Sequence, residues 1–239
     1  MKKIAKFIVK GIDHMVDLIA LLLVLMTMFL SCYMLWDSNQ VYQVADAKNY
    51  ETYIPTEKHT KSFEELQRIN PDVIGWIRVN DTNINYPLLQ TDDDDTYMNT
   101  DAEGKYSLSG AIFLHCGNKP DFSDFNNIIY GHHMEHGMMF GAIDEYLNED
   151  YFNSHRTGSL VVGKKTYKIR IFAVLECEAT EESIFAPTEN DNTLNYIKQH
   201  ALFIDNTALP KDNEKLLGLS TCKYPDTVDR TLIFGALDG

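Results

Sequence analysis

Short apolar segments with β-strand character, separated by polar and glycine-containing turns, follow one another from residue 73 onward and constrain the fold most. Few helical stretches interrupt them, which leaves too few crossover helices for a doubly wound parallel sheet. The pattern predicts a mainly β domain, an antiparallel barrel or sandwich. The predicted strands are Val73–Val79, Ile84–Gln90, Gly110–Cys116, Asn127–His132, Ser159–Gly163, Thr166–Glu178, Lys215–Cys222 and Thr231–Leu237.

Helices are predicted at three places around these strands. One runs from Ser62 to Asn70, with Ser62 as its N-terminal cap and Pro71 as the residue that stops it. The other two cover Met139–Asn153 and Asn192–Phe203, where apolar residues recur at helical spacing.

The N-terminal part has the composition of a membrane anchor. No charged residue interrupts the apolar run Leu18–Trp36, and roughly 20 such residues cross a hydrocarbon core. Lysines precede the run, so the positive-inside bias places the N-terminus in the cytoplasm and the rest outside the cell. A cleaved signal peptide is the alternative, but its apolar region usually has only ~7–15 residues and ends at small side chains. The predicted organisation is a cytoplasmic N-terminus (1–14), a transmembrane anchor (15–36), an extracellular stalk (37–62) and a folded domain (63–239).

The charge of the exported part limits its partners. The chain carries a formal net charge of −14, and the segment through Trp36 contains four lysines and two aspartates, so the remainder is at −16. A domain with this much negative charge is not expected to bind nucleic acid, an anionic membrane or an anionic wall polymer. Neutral or basic peptides and amines, held at a local site, are the expected partners.

The cysteines do not form a disulfide pattern. Cys32 lies in the predicted span, which leaves Cys116, Cys177 and Cys222, an odd number that indicates a free reactive thiol. A Cys116–Cys177 disulfide stays open, although buried free thiols are the favoured interpretation. No metal or other cofactor is predicted, because the run Asp92–Asp95 lacks the Gly and distal Glu of an EF-hand loop and is expected to be a solvated turn.

Cys222 and Arg230 have the spacing of a reactive pair. Cys222 ends one predicted strand and Arg230 directly precedes the next, and the intervening segment 223–229 has the composition of a turn, so a hairpin brings the two residues together. A neighbouring cation favours the nucleophilic thiolate, and a guanidinium can stabilise an oxyanion. The alternative is structural: a buried cysteine, and an arginine that pairs with Asp226 or Asp229.

A histidine completes the chemistry. His132 ends the predicted strand Asn127–His132 and directly follows Gly131, whose freedom allows a sharp turn. The His132 imidazole can therefore be aimed into a groove and act as general acid and base for amines. His132 to His136 also fits the zinc motif H-x-x-E-H, but that motif requires a helix, and two glycines bracket this stretch. In papain-like peptidases the cysteine precedes the histidine, which is the opposite order.

Together these residues resemble the class B sortases over roughly 63–239. The motifs that carry the resemblance are Tyr130-Gly131-His132-x-Met134, Gly137-x-Met139-Phe140-Gly141, Leu219-Ser220-Thr221-Cys222 with Arg230, Asn70-Pro71-Asp72-Val73-Ile74-Gly75-Trp76-Ile77, Tyr86-Pro87-Leu88-Leu89-Gln90 and Tyr167-Lys168-Ile169-Arg170-Ile171-Phe172-Ala173-Val174.

The resemblance implies a closed eight-stranded β-barrel with flanking helices, and a membrane-anchored cysteine transpeptidase outside a Gram-positive cell. Such an enzyme cleaves a C-terminal sorting signal after threonine, forms a thioacyl intermediate, and passes the protein to an amine of the cell wall or of a pilin subunit. On this pattern Cys222 is the nucleophile, His132 the acid and base, and Arg230 the stabilising cation.

The same resemblance implies that Tyr130, Ser220 and Thr221 line the substrate groove. Two other functions stay open: a thiol peptidase that only hydrolyses, and a non-catalytic surface-binding protein on the same barrel.

Overall fold

The computed structural model of the protein describes residues 2–55, 60–186, 192–222 and 228–239. Its helices are α1 (Lys2–Ala45), α2 (Thr60–Ile69), α3 (Glu149–Ser154), α4 (Glu182–Phe185) and α5 (Asn192–His200). Its strands are β1 (Val73–Val79), β2 (Asn85–Leu89), β3 (Ile112–Leu114), β4 (Asn126–Tyr130), β5 (Thr157–Val162), β6 (Lys165–Glu178), β7 (Phe203–Ile204), β8 (Lys215–Cys222) and β9 (Asp229–Asp238). Short 3-10 helices cover Ala47–Tyr53, Thr96–Met98, Glu135–Gly137 and Gly141–Leu147.

The strands form a closed barrel. They lie in the order β5-β1-β2-β3-β4-β8-β9-β6, and β5 also pairs with β6, which closes a ring of eight strands. The pairs β2–β3 and β4–β8 are parallel, and the other pairs are antiparallel. The short β7 pairs with the later part of β6, beyond the residues that contact β5. This confirms the predicted mainly β, eight-stranded barrel with flanking helices.

Alternate residues of the strands supply two apolar cores. In β8, Leu217 and Leu219 belong to the main core, whereas Leu216 packs in a second cluster with Ile184 of α4 and Ile197 of α5. Successive side chains of a strand point to opposite faces, so the second cluster lies on the outer face, covered by the connection that carries α4 and α5. Burial on both faces explains why Leu216 to Leu219 lacks the polar alternation of a half-exposed strand.

The N-terminal helix α1 is a single helix from Lys2 to Ala45. Among the described residues it is the one helix long and apolar enough to cross a membrane, by length and composition alone. The predicted stalk differs from the structure at its start, because Ala45 and Tyr50 are buried in the main core and the compact unit begins at Val44. Residues 56–59 of that stalk lie outside the described residues.

Two predicted helices have different bounds. The helix α2 is present by Thr60, so Ser62 lies inside it and is not its cap, although it ends before Pro71 as predicted. The predicted helix Met139–Asn153 is wrong as one element. The backbone of Met139 has a φ of 50°, and the Asn148 side chain accepts hydrogen bonds from the amides of Asp150 and Tyr151, which starts a new helix.

Further along the chain, α5 ends at His200, and Phe203, predicted as its last residue, instead pairs with Val174 as part of β7. The predicted buried thiols are also wrong in part, because Cys116 is exposed and Cys177 is half-buried, although both are free.

Candidate active site

The ends of three adjacent strands bring together most of the predicted site residues. Tyr130 of β4 pairs with Ser220 of β8 in parallel register, and Cys222 of β8 pairs with Arg230 of β9 in antiparallel register. Directly opposed residues in an antiparallel pair have Cα atoms about 5 Å apart. The hairpin prediction for Cys222 and Arg230 therefore holds at the level of the backbone. The turn predicted between them covers 223–229, of which 223–227 lie outside the described residues, and Asp229 is already the first residue of β9.

A cavity of about 250 Å³ opens at these strand ends. We call it the His132 cavity. Five residues predicted from the sequence line it: Tyr130, His132, Ser220, Thr221 and Arg230. The other lining residues are Asp94, Asp95, Met98, Phe113, Gly131, Ala179 and Phe185.

The imidazole of His132 is held by the 3-10 helix Thr96–Met98. Its Nε2 lies 2.6 Å from the carbonyl oxygen of Met98. A carbonyl oxygen only accepts hydrogen bonds, so Nε2 carries a proton and Nδ1 is the nitrogen left to take up or release one. Gly131 is required beside it, because a Cβ there would approach Ile112 Cδ1 to 2.5 Å and the Phe140 ring to 2.8 Å.

The neighbouring histidine has a different environment. His133 Nε2 lies 2.6 Å from an oxygen of Asp144, in a second cavity that His132 does not line. The stretch from His132 to His136 is not an α-helix: Met134 is extended and His136 has a φ of 61°. The helix that H-x-x-E-H requires is therefore absent from this described stretch, as the sequence predicts.

Two hydroxyl groups and one phenol distinguish the wall of the cavity. Ser220 and Thr221 are only 1% and 2% exposed, and their hydroxyl oxygens have no hydrogen-bond partner among the described residues. Buried polar groups are normally paired, so these two unpaired hydroxyls are candidates for hydrogen bonds to a bound ligand. Tyr130 stacks on Phe185 of α4, with ring centroids 6.3 Å apart. Burial raises the pKa of Tyr130, the charge of Asp94 adds to this rise, and Arg230 opposes it.

Arg230 also has a second cysteine as its neighbour. Strand β9 lies between β8 and β6, so Arg230 pairs with Cys222 of β8 on one side and with Cys177 of β6 on the other. Burial raises the pKa of the Cys177 thiol to about 12, and nearby Glu181 adds to the rise while Arg230 opposes it. Cys177 is therefore a protonated, unreactive thiol at neutral pH.

Sequence reasoning missed the acidic wall of the His132 cavity, which consists of Asp94 and Asp95. The run Asp92–Asp95 is a turn, as predicted, and Asp93 stabilises it by accepting hydrogen bonds from the amides of Asp95 and Thr96. Asp94, however, is not simply solvated, because its Oδ2 lies 2.6 Å from His115 Nδ1. Burial raises the pKa of Asp94, but the hydrogen bonds from His115 and Cys116 outweigh this and keep it below its ordinary value. The one available signal is the His115-Cys116 pair at the end of the predicted strand Gly110–Cys116.

Comparison with known proteins identifies the architecture. A sequence model of the sortase domain matches residues 77–238. The chain belongs to the sortase family. Sortase B of Listeria monocytogenes is 34% identical over 166 residues, which is 67% of this chain and 66%, or slightly under two thirds, of the Listeria protein.

Solved structures place this sortase in class B. A class B sortase of Streptococcus pyogenes involved in pilus biogenesis is 35% identical, with a TM-score of 0.69, over 74% of this sortase and 97% of that chain. The Staphylococcus aureus sortase B–substrate complex is 25% identical, with a TM-score of 0.73, over 84% of this sortase and 97% of that chain. The resemblance predicted from the sequence is thereby confirmed, and the family is one of cysteine transpeptidases.

Proposed function

We propose that this sortase is a membrane-anchored transpeptidase that cleaves a C-terminal sorting signal after threonine and joins the protein to an amine. The observation that carries the proposal is the convergence at one cavity: His132 and Arg230 line it, and the backbone of Arg230 pairs with that of Cys222. A thiol, an acid and base, and a cationic donor at one place are the components of acyl transfer through a thioester.

Cys222 is the nucleophile in this proposal. Its thiolate attacks the carbonyl carbon of the threonine, and the oxyanion that forms is stabilised by the guanidinium of Arg230, which stays charged and has several donors in a rigid fork. Collapse of this intermediate breaks the peptide bond and leaves the threonine carbonyl as a thioester on Cys222. An amine then attacks the thioester, and the thiolate leaves.

His132 handles the proton in both halves of the reaction. In the first half, Nδ1 gives a proton to the departing amine. In the second half, Nδ1 accepts a proton from the incoming amine as that amine attacks the thioester. The hydrogen bond from Nε2 to the Met98 carbonyl supports this role, because it holds the ring and leaves Nδ1 as the exchanging nitrogen.

The substrate groove is proposed to use Tyr130, Ser220 and Thr221. The unpartnered hydroxyls of Ser220 and Thr221 can bond a peptide backbone, and the Tyr130–Phe185 stack offers an apolar surface beside them. The acceptor is an amine of a cell-wall peptide or of a pilin lysine. The chain carries a formal net charge of −14, and the part after Trp36 carries −16 because the N-terminal segment has four lysines and two aspartates, which favours such cationic acceptors over anionic polymers.

The anchor is proposed to be α1, with the N-terminus in the cytoplasm and the barrel outside the cell. Its apolar residues are exposed along most of the helix, which suits a lipid environment, and lysines flank its N-terminal end. Fractionation of the full chain with cytosolic proteins would contradict this part.

The test is to trap the thioester. Full-length protein in detergent is mixed with a library of threonine-containing sorting peptides, and intact-mass spectrometry is used to find the acyl adduct and its position. We expect the adduct on the wild type and on the control Cys32→Ala, and no adduct or cleavage with Cys222→Ala. Cleavage by the folded Cys222→Ala variant would end the thiol mechanism.

Hydrolysis without transfer is separated by a second arm of the same experiment. Addition of hydroxylamine should convert the peptide into an amide-type product at the threonine carbonyl. A free threonine carboxylate as the sole product, at saturating hydroxylamine, would make the protein a thiol peptidase. Failure of all peptides to label Cys222 would favour a non-catalytic binding protein.

A further inference from the structure

Three donors of different chemistry converge beside the His132 cavity. They are a carboxylate oxygen of Asp94, the imidazole of His115 and the sulfur of Cys116, and their ligand atoms lie within 4.8 Å of one another. Among the described residues this is the one group of three or more His, Cys, Asp or Glu side chains with such spacing. None of these residues has a part in the acyl-transfer chemistry proposed above.

We propose that Asp94, His115 and Cys116 form a binding site for a divalent cation of the zinc class. Imidazole, thiolate and carboxylate are the donors that Zn²⁺ takes from proteins, at about 2.0–2.3 Å from the metal. At those bond lengths tetrahedral ligand atoms are separated by about 3.3–3.7 Å. The Asp94–His115 contact of 2.6 Å must therefore open by about 1 Å, and a separation at the 4.8 Å limit must close by about 1 Å.

The surroundings already orient two of the ligands. The amide of Cys116 donates to Asp94 Oδ1 at 2.7 Å, which leaves Oδ2 facing His115. The ring of His115 packs edge-on against Tyr130, with centroids 5.9 Å apart. Hydrogen bonds that hold ligating carboxylates, and packing that holds ligating rings, are usual around protein metal sites.

The chain also supports the site electrostatically. Asp92, Asp93 and Asp95 flank Asp94 on the same loop, and their negative charge raises the local concentration of cations. On binding, the Cys116 thiol loses its proton to solvent and the sulfur becomes a metal ligand. The cation would link the loop 91–95 to the end of β3. Three protein ligands leave a fourth position open for water or for a ligand of the cavity that Asp94 lines.

Cobalt(II) is the probe that tests the site, since it replaces zinc and absorbs by charge transfer when bound to thiolate. Full-length protein carrying Cys222→Ala, which removes the other proposed thiolate, is treated with chelator and titrated with Co²⁺ in detergent. We expect one equivalent with a thiolate charge-transfer band, displaced by Zn²⁺. Zinc should also raise the Tm of this protein, because it binds the folded state.

Variants then assign the ligands. Cys116→Ala should abolish the charge-transfer band, and Asp94→Asn or His115→Gln should weaken cobalt binding at least tenfold. The matched controls are Cys32→Ala and Asp92→Asn, which should bind as the parent does. Absence of the band in the parent, or equal affinity in the three ligand variants, would overturn the proposal. Because binding is measured in a chain that lacks the proposed nucleophile, either result leaves the transpeptidase proposal untouched.

Discussion

At the scale of single residues, Arg230 separates a catalytic from a structural interpretation of the site. It lines the His132 cavity, and its charge acts on both Tyr130 and Cys177. A structural arginine needs only its positive charge, whereas an oxyanion donor also needs the planar fork of N–H groups. Replacement by lysine keeps the first property and removes the second.

We expect Arg230→Lys to lower the rate of peptide transfer at least a hundredfold, with a nearly unchanged Tm. Loss of one well-placed oxyanion donor costs about 10²–10³ in turnover, whereas an exposed ion pair contributes only ~0–1 kcal/mol to stability. The measurements are kcat and KM with a sorting peptide, together with thermal unfolding. Arg68→Lys, at an exposed pair with Glu64, is the control. Normal turnover in Arg230→Lys would leave a Cys222–His132 dyad.

At the scale of elements, the short 3-10 helix Thr96–Met98 positions His132, the proposed acid and base, through the carbonyl of Met98. Gly110, in the loop before β3, allows this helix to lie close. Its φ is +58°, and a Cβ there would meet Tyr97 O at 2.4 Å, Met98 O at 2.8 Å and His132 Cδ2 at 3.0 Å. A side chain at this position must therefore move the backbone that holds the imidazole.

We expect Gly110→Ala to lower kcat for transfer about tenfold to hundredfold, since small displacements of positioned groups have effects of that size. Gly163→Ala is the matched control, because Gly163 has the same φ of +58° and open space around its Cβ position. Both variants carry the strain of a positive φ, so both should lose some stability, and only Gly110→Ala should lose activity. Equal rates in the two variants would contradict the positioning role.

Sequence reasoning succeeded where the information is local. The strands β1, β6 and β8 have the predicted bounds within a residue, because each is an apolar run that ends at turn residues. Cys222 and Arg230 were paired correctly because the two strands of a hairpin are neighbours in the chain. The same reasoning extended one helix through Met139–Asn153, since periodicity does not reveal the positive φ of Met139.

The acidic wall was missed for the opposite reason. Asp94 follows β2, and His115 follows β3, and these strands are parallel neighbours joined by a long connection. No spacing rule links two residues across such a connection, so only the structure brings Asp94 to His115. Likewise, the role of Phe185 depends on α4 lying over the outer face of the barrel, a tertiary arrangement that propensity does not encode.

At the scale of the whole molecule, the domain begins before the predicted boundary at residue 63. Ala45, Tyr50 and Tyr53 belong to the main core or pack against it. The Tyr86 hydroxyl donates to the Ala45 carbonyl and accepts from the Met139 amide, at 3.0 Å in each case. The segment 45–53 is therefore part of the fold as well as a connection to the proposed anchor.

Two truncated chains test this boundary. A chain that starts at Ser38 should be soluble without detergent and active, because it lacks the apolar helix and keeps the segment 45–53. A chain that starts at Pro55 should lose about 2–4 kcal/mol of stability, since burial of one large side chain contributes about 1.5–3 kcal/mol. Thermal unfolding of the two in the same buffer should give a Tm about 5–15 °C lower for the shorter chain. Equal Tm values would show that the segment is dispensable.

One contact between strands of the barrel can be tested through pH. Arg170 of β6 and Glu214, just before β8, form a salt bridge of 2.7 Å across β9, and the Glu214 side chain is only 12% exposed. Burial raises the pKa of Glu214, but opposing interactions lower this pKa below its ordinary value of 4.5. The largest of these lowering interactions is the hydrogen bond from Arg170. A carboxyl whose pKa is lower in the folded than in the unfolded state stabilises the fold fully above the unfolded pKa. That stabilisation is lost as the pH falls through the folded pKa.

We therefore expect Glu214→Gln to lower the Tm by about 2–8 °C at pH 7, since hydrogen bonds to charged groups contribute about 1.5–3 kcal/mol and this pair is partly exposed. Below pH 4.5 the difference from the wild type should shrink progressively, because the wild-type carboxyl is protonated as the pH falls through its lowered folded-state pKa. The control is Glu64→Gln, whose exposed pair with Arg68 should contribute no measurable Tm change. A difference that persists undiminished down to pH 2 would mean that Glu214 stabilises the barrel by packing and not by its charge.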